Sequence, residues 1–393
     1  MEKLLLIGID TRSMLNSALD LEYEIFSASY FSTSDTPTIK NQKIVLKESD
    51  GESCGSFEEN FDPKYILEFS RDFIDEVDYI IPISGVSPSD FKKNDKKKIL
   101  GNKDVGELEN KFKFYEEIKD EFLTPMTFKL NDIDEALEIN KNYPNNQFII
   151  KPLQGSGGYD VNLLNNDSDF EFKDDEYIMQ EYIKGINLSS SVLSNTTTAK
   201  NITNSRLLTM NDFKNNNDFR YVGNILPLTK KSVMTPVNNF DKLKREMKTT
   251  SENLIKKFNL IGSNGVDFIL NEDGLNIIEV NPRIQGTFEC VEKTFGVNML
   301  EAHIKACQGE LINIPEAKYY SYKKIIYSPT RMKYHKMNLN NIYDLPHIGS
   351  ITEINEPLLT IIEKDKSFEN LCKKVELTDK IVNEESRKGQ LDE

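Results

Sequence analysis

Three oxygen-bearing side chains in one short stretch could bind a divalent metal ion. Asp267 lies in one β-prone run, and Glu279 and Asn281 lie in the next. A three-residue loop, 272–274, with glycine at its left-handed position would place Asp267 directly opposite Glu279. Because Glu279 and Asn281 are two residues apart, their side chains share one face of the strand. A small set of hard oxygen ligands predicts a site for Mg²⁺ (or Mn²⁺) whose shell is completed by phosphates.

The same hairpin could instead be an ordinary surface hairpin whose polar residues face water. That interpretation must account for two carboxylates that face each other, which lowers stability unless a cation lies between them. Arg283 comes directly after Pro282, which ends the strand and directs the guanidinium to the same place. A guanidinium there could stabilise charge that develops on a transferred group. We therefore interpret the hairpin as a metal site and Arg283 as a catalytic residue.

A glycine-rich loop follows the predicted strand Phe148–Lys151. It contains three glycines in four residues, at Gly155, Ser156, Gly157 and Gly158. Without a Cβ, the backbone N–H groups can approach and cradle phosphate oxygens, and Lys151 adds a positive charge. The alternative is a flexible hairpin loop with no ligand, and the lack of GK[ST] excludes a Walker A loop. Beside the carboxylate hairpin, the loop predicts a nucleotide-phosphate site.

The order of these residues, a carboxylate followed twelve positions later by Glu-x-Asn-x-Arg, resembles the metal-binding signature of the ATP-grasp superfamily. The resemblance covers about Leu100–Gly309 and implies ATP and Mg²⁺ as cofactors. In that family the glycine loop forms a mobile lid over the phosphates. A family Gly-x-Lys motif resembles Gly101-Asn102-Lys103, which opens a predicted helix, Val105–Ile118. This implies that Lys103 reaches the phosphates.

The family's hinge resembles the predicted strand Tyr177–Tyr182. There the resemblance implies that Glu181 and the backbone at Tyr182 and Ile183 bind the adenine edge. The family often has an acidic residue near the position of Asn187, where it contacts the ribose hydroxyls. Asn187 departs from that pattern, although its amide can still bind a hydroxyl group.

The predicted fold class is α/β, and the resemblance makes it an α+β ATP-grasp fold. Lys3–Ile9 is a near-continuous apolar run, typical of a parallel strand that is buried on both faces. Strands and helices alternate over residues 1–98 and predict an open α/β pre-ATP-grasp domain. Residues 99–310 would form the ATP-grasp domain, with two α+β subdomains. Residues 311–382 would form a small β-rich domain, and 383–393 a polar tail.

The composition limits the classes of partner. The formal net charge of −15 argues against non-specific binding to nucleic acid and to an anionic membrane surface. The four cysteines show no CxxC spacing, and no apolar run resembles a signal peptide or reaches membrane-spanning length. We therefore expect a cytoplasmic protein with small-molecule partners, and a homodimer is possible. Only three histidines are present, so catalysis by histidine is not expected.

The resemblance implies that ATP phosphorylates a carboxylate and that a nucleophile attacks the acylphosphate. Biotin-dependent carboxylases are similar around the hairpin, but they place a catalytic Glu and a His where this chain has Thr287-Phe288. We therefore expect an ADP-forming ligase that joins a small-molecule carboxylate to an amine through a C–N bond. The alternatives are a bicarbonate-using carboxylase or carbamoyl-phosphate-type enzyme, a small-molecule kinase, and a non-catalytic ATP sensor.

Overall fold

The computed structural model describes residues 1–46, 61–155, 157–164, 176–214 and 217–391. Its strands are β1 Lys3–Gly8, β2 Glu24–Ser29, β3 Asn41–Ile44, β4 Tyr79–Pro82, β5 Thr127–Leu130, β6 Phe148–Pro152, β7 Asn162–Leu163, β8 Tyr177–Glu181, β9 Ile186–Ser194, β10 Ala199–Thr209, β11 Tyr221–Leu226, β12 Gly262–Leu270, β13 Leu275–Asn281, β14 Tyr320–Tyr327, β15 Met332–Lys333, β16 Ile342–Tyr343, β17 Ile351–Thr352 and β18 Pro357–Asp365.

The α-helices of the described residues are α1 Arg12–Ala18, α2 Pro63–Phe69, α3 Arg71–Glu76, α4 Gly106–Glu109, α5 Lys111–Ile118, α6 Ile133–Asn142, α7 Asn211–Lys214, α8 Phe240–Lys257, α9 Phe288–Phe295, α10 Met299–Cys307 and α11 Phe368–Lys388. Two short 3₁₀ helices span Pro88–Asp90 and Asp95–Lys98. None of the described helices is both long enough and apolar enough to cross a membrane.

The N-terminal part is a parallel sheet of four strands in the order β3-β2-β1-β4. Leu4 to Ile7 of β1 are fully buried, as the continuous apolar run predicted. The chain leaves β1 at Gly8 and enters α1 at Arg12. The turn between them lies at the carboxyl end of a parallel strand, where open α/β sheets commonly bind ligands.

A small antiparallel sheet, β5-β8-β6-β7, follows. Helix α6 packs on it through Ala136 and Leu137, which belong to one apolar cluster with Phe148, Ile150 and Met179. Lys151 lies near the end of β6, directly before the glycine loop. This sheet therefore positions the lysine and the loop together.

An eight-stranded sheet, in the order β13-β12-β9-β10-β11-β14-β18-β16, forms the largest part of the molecule. Helix α8 buries Leu243, Met247 and Leu254 in the apolar cluster that also contains Val266 and Phe268 of β12. This spacing of three and four residues is that of one helix face.

The C-terminal strands continue the eight-stranded sheet, which the sequence did not indicate. Strand β14 pairs with β11 on one side and with β18 on the other. The expectation of a polar tail from residue 383 is wrong up to Lys388, because α11 extends to that residue. The helix buries Val382 and Ser386 along the face that carries Leu371 and Val375, so the apolar stripe continues past the expected end.

The hairpin of β12 and β13 pairs Asp267 with Glu279, as predicted, but by a different route. Leu270 pairs with Leu275, so the loop has four residues instead of three. The register shifts by one residue between Asp267 and Phe268, which restores the expected pairing. Gly274 adopts φ +142°, so a positive φ is indeed required there.

The helix predicted over Val105–Ile118 is interrupted at Asn110. Asn110 has extended backbone angles, and its side chain accepts a hydrogen bond from the N–H of Lys113, so it caps α5. Helix α4 therefore ends at Glu109 and α5 begins at Lys111.

Candidate ATP and metal site

A cavity of about 970 Å³ is lined by residues of the N-terminal sheet, the small sheet and the large sheet. It brings together most of the site residues that the sequence predicted: Lys151, Gly155, Gly157, Gly158, Glu181, Tyr182, Ile183, Asn187, Asp267, Glu279, Asn281 and Arg283. Ser156 lies outside the described residues. Lys103 does not line the cavity.

The carboxylates of Asp267 and Glu279 face each other across the hairpin, with the Asn281 amide between them. Asn281 Nδ2 lies 3.0 Å from Asp267 Oδ2 and 3.3 Å from Glu279 Oε1. Among the described residues, no hydrogen-bond partner reaches the buried Oδ1 of Asp267. Burial and the Glu279 charge raise the pKa of Asp267 to about 7. A buried oxygen without a partner, beside a second carboxylate, fits a divalent metal ion.

Arg283 lies at the same edge of the cavity and is only weakly engaged. Its Nη2 lies 3.3 Å from Asn281 Oδ1, and its Nη1 lies 3.5 Å from the carbonyl oxygen of Ile284. Neither contact is an ion pair. Most of the donor capacity of the guanidinium therefore remains for an anion in the cavity.

Two lysines face the metal hairpin from the small-sheet side. Lys151 is buried, and its Nζ donates to Gln180 Oε1 at 2.7 Å. Burial and the neighbouring Lys111 lower the pKa of Lys151 to about 7, and Glu279 opposes this only partly. Burial likewise lowers the pKa of Lys111. Two ammonium groups that share a desolvated space fit a polyanionic ligand such as a phosphate chain.

Lys111 takes the place that the sequence analysis gave to Lys103. The break at Asn110 puts Lys111 at the start of α5, and its Nζ donates to the carbonyl of Gly155 at 2.8 Å. Lys103 instead lies 3.4 Å from the carbonyl oxygen of Lys97, outside the cavity. Both lysines follow an Asn residue (Asn102 and Asn110), but only Lys103 stands in a Gly-x-Lys motif, so the motif pointed to Lys103.

The glycine loop packs against the beginning of β11. The carbonyl of Gly157 accepts a hydrogen bond from Tyr221 N at 2.8 Å. Gly158 has φ +75°, and a Cβ there would lie 2.1 Å from the carbonyl oxygen of Phe219. A side chain at Gly158 is therefore excluded both by backbone conformation and by contact.

The predicted hinge is present, but Glu181 has an internal role. Its carboxylate accepts hydrogen bonds from Asn146 Nδ2 at 2.7 Å and from Met126 N at 3.4 Å. The N–H of Tyr182 donates to the carbonyl of Gln147 at 2.7 Å. Both groups are therefore engaged within the protein.

A buried ion-pair network forms the end of the cavity that the sequence analysis missed. Arg12 is 1% exposed, and its two terminal nitrogens donate to Glu289 at 2.6 and 2.9 Å. Its Nε donates to Asp344 at 2.8 Å. The three residues join α1, α9 and the loop after β16. The position of Arg12 after a parallel strand was a signal for a site residue, whereas nothing in the sequence marked Asp344.

Comparisons with known proteins agree with this geometry. Residues 108–287 match the family model of the ATP-grasp domain. An uncharacterised protein of Methanocaldococcus jannaschii is 28% identical over 374 residues, which are 92% of this chain and 88% of that protein. The tyramine–L-glutamate ligase of the same organism is 28% identical over 156 residues, 39% of this chain and 41% of the ligase.

Among solved structures, the biotin carboxylase domain dimer of the Hydrogenobacter thermophilus 2-oxoglutarate carboxylase, in complex with MgADP, ADP and bicarbonate, has a TM-score of 0.69. The match covers 95% of this chain and 88% of that chain at 15% sequence identity. Likeness at this identity shows the fold, and together with the family model it confirms the expected fold class.

Proposed function

Since the chain belongs to the ATP-grasp superfamily, we propose that it is an ADP-forming ligase that joins a small-molecule carboxylate to an amine. One observation carries the proposal. A single cavity holds an acidic metal hairpin with an unpartnered Asp267 oxygen, a weakly engaged Arg283, and the desolvated ammonium groups of Lys111 and Lys151. This is the set of charges that phosphoryl transfer from ATP requires.

Each group has a distinct role in the proposed reaction. Asp267, Glu279 and Asn281 would hold Mg²⁺ (or Mn²⁺), which neutralises phosphate charge when it is bound. Lys111, Lys151 and the loop amides at Gly155–Gly158 would bind the phosphate chain of ATP. Ile183 and Asn187 would hold the adenine and the ribose. Arg283 would stabilise the charge on the phosphoryl group as it passes to the substrate carboxylate.

One relative supports the ligase assignment. The tyramine–L-glutamate ligase, by its name, joins an amine to a carboxylate. The carboxylase alternative needs a base for bicarbonate just after the metal hairpin. Thr287 and Phe288 cannot act as that base, and the next carboxylate, Glu289, is fully engaged with Arg12. A dimer and a cytoplasmic location remain part of the proposal.

The direct test is ADP release that depends on a pair of substrates. The purified chain is incubated with ATP, Mg²⁺ and pairs of carboxylates and amines, and ADP and product mass are both measured. We expect ADP release to require both substrates and to match amide formation one to one. ADP release with bicarbonate and no second acid would favour the carboxylase. A phosphorylated product in place of an amide would favour a kinase. No turnover with any pair would favour a sensor.

Lys111→Met is expected to weaken binding of a non-hydrolysable ATP analogue with Mg²⁺ by roughly 10–100-fold, because it removes a charged hydrogen-bond donor from a desolvated site. Methionine keeps the length of the side chain, so α5 should be unaffected. Lys103→Met is the matched control and should change the affinity by less than about twofold, since Lys103 lies outside the cavity. Isothermal titration calorimetry on both variants decides between the two lysines. A larger loss from Lys103→Met would restore the assignment made from the sequence.

A further inference from the structure

One end of the cavity extends beyond the residues assigned to ATP and the metal. Its wall is formed by Asp10, Arg12 and Ser13 from the turn after β1, Glu289 from α9, and Lys323 and Asp344 from the C-terminal strands. The wall therefore combines three carboxylates with two cationic side chains. Since all of these residues line the same cavity as Arg283, a substrate bound there is within the same enclosed space as the phosphoryl donor.

Four of the five N–H donors of the Arg12 guanidinium are engaged by carboxylates of the wall. Its Nη1 and Nη2 donate to both oxygens of Glu289, and Nε and Nη2 contact Asp344 at 2.8 and 2.7 Å. Asp35 lies behind it, 3.7 Å from Nε. The positive charge of Arg12 is therefore balanced by the carboxylates that contact it directly.

Asp10 is the wall carboxylate that does not accept a hydrogen bond from the Arg12 guanidinium. In the described part of the chain its side chain receives one hydrogen bond, 3.1 Å long, from the backbone N–H of Arg12. Burial and the Asp344 charge raise the pKa of Asp10 to about 7, and Arg12 opposes this only partly. The Nζ of Lys323 is 3.0 Å from the carbonyl of Gly286, and its charge acts on Asp344.

We propose that this end of the cavity binds a substrate with a primary ammonium group, and that Asp10 receives that group. The inference rests on the proposed function, because it names the chemical class of one substrate of the proposed ligase. An anion is disfavoured there, since the carboxylates of the wall outnumber its cations and two of them bind Arg12 directly. An ammonium group would supply the missing counter-charge and donate to the Asp10 oxygen that faces the cavity.

The ammonium group can belong to an amino acid or to an amine without a carboxylate. One experiment distinguishes these two classes of substrate. The full chain is saturated with Mg²⁺ and a non-hydrolysable ATP analogue, and binding is measured by calorimetry. One arm uses the proteinogenic L-amino acids; the other uses amines without a carboxylate, namely ethanolamine, putrescine, phenethylamine and tyramine. Each ligand that binds is repeated as the analogue with a hydroxyl in place of the amine. We expect at least one amine to bind, and its hydroxyl analogue to bind roughly 10-fold more weakly or worse.

Asp10→Asn should then weaken amine binding by roughly 10–100-fold, because an amide cannot compensate the ammonium charge. Its affinity for the ATP analogue should stay at the wild-type value, and its thermal midpoint should be equal to or above that of wild type, because a buried charge is removed. The control is Asp35→Asn, which removes the same charge from the same network, outside the cavity lining. The inference would be overturned if the two variants had equal effects, or if amine and hydroxyl ligands bound equally well. It would also be overturned if wild type bound the nucleotide but no amine. Amine binding without turnover would overturn the ligase proposal alone.

Discussion

Glu279→Gln is expected to reduce turnover by more than about 10³-fold while the protein stays folded, because a metal ligand supplies several kcal/mol of charge stabilisation in phosphoryl transfer. Glutamine has the same shape, and the pairing of Glu279 with Asp267 shows that the wild-type residue contributes repulsion in the absence of a cation. Burial and the Glu279 charge raise the pKa of Asp267, so the substitution should lower that pKa by the part that Glu279 contributes. The thermal midpoint without metal should therefore be equal to or above that of wild type.

The measurement is ADP release at saturating ATP and increasing Mg²⁺, together with thermal unfolding with and without Mg²⁺. Wild type should gain stability from MgATP, and Glu279→Gln should gain much less. Glu272→Gln is the matched control, because Glu272 is exposed in the loop of the same hairpin. Wild-type turnover by Glu279→Gln at saturating Mg²⁺ would refute the metal assignment.

Arg283→Ala is expected to lower turnover by about 10²–10³-fold, roughly 3–4 kcal/mol, with ATP affinity within a few-fold of wild type. Arg283 makes only weak contacts with Asn281 and Ile284, so it is not needed to hold the fold. Lys111, Lys151 and the loop amides remain to hold the nucleotide. The loss should therefore be found in the chemical step.

Arg283→Lys should restore little activity, because a point charge cannot reproduce the two parallel donors of a guanidinium. Arg245→Ala, on the exposed face of α8, controls for the loss of a positive charge. Nucleotide affinity comes from calorimetry, and turnover from single-turnover ADP formation. If affinity falls in parallel with turnover, Arg283 anchors the ground state and does not act in the transition state.

The pairing within the β12–β13 hairpin could be predicted because it depends on residues that are close in sequence. Two strands joined by a short turn fix which residues face each other, and the spacing of Glu279 and Asn281 fixes their common face. The predicted loop length was wrong. The loop is one residue longer than expected, and the register shift beside Asp267 compensates for the extra residue. The pairing of Asp267 with Glu279 is still as predicted, because the shorter loop without a register shift and the longer loop with one give the same pair.

The remaining parts of the site depend on contacts that no local pattern reports. Lys103 carries the Gly-x-Lys motif, but Lys111 is the lysine that contacts Gly155, because the break at Asn110 places it at the start of α5. Whether β14 starts a new sheet or extends an old one is decided by the free edge of β11, which is far away in sequence. The wall of charged residues around Arg12 likewise forms only when Arg12, near the N-terminus, contacts Asp344 in the C-terminal part of the chain.

The contact between Arg12 and Asp344 spans 332 positions of the chain. During synthesis, therefore, the nucleotide and metal residues emerge long before the pocket for the second substrate can close. Until β14 is made, β11 has an unpaired edge, and Arg12 lacks its partner Asp344 until the loop after β16 follows. Contacts of such long range form late in folding. A chain released by the ribosome before Asp344 is made would thus be expected to lack a finished Arg12 network.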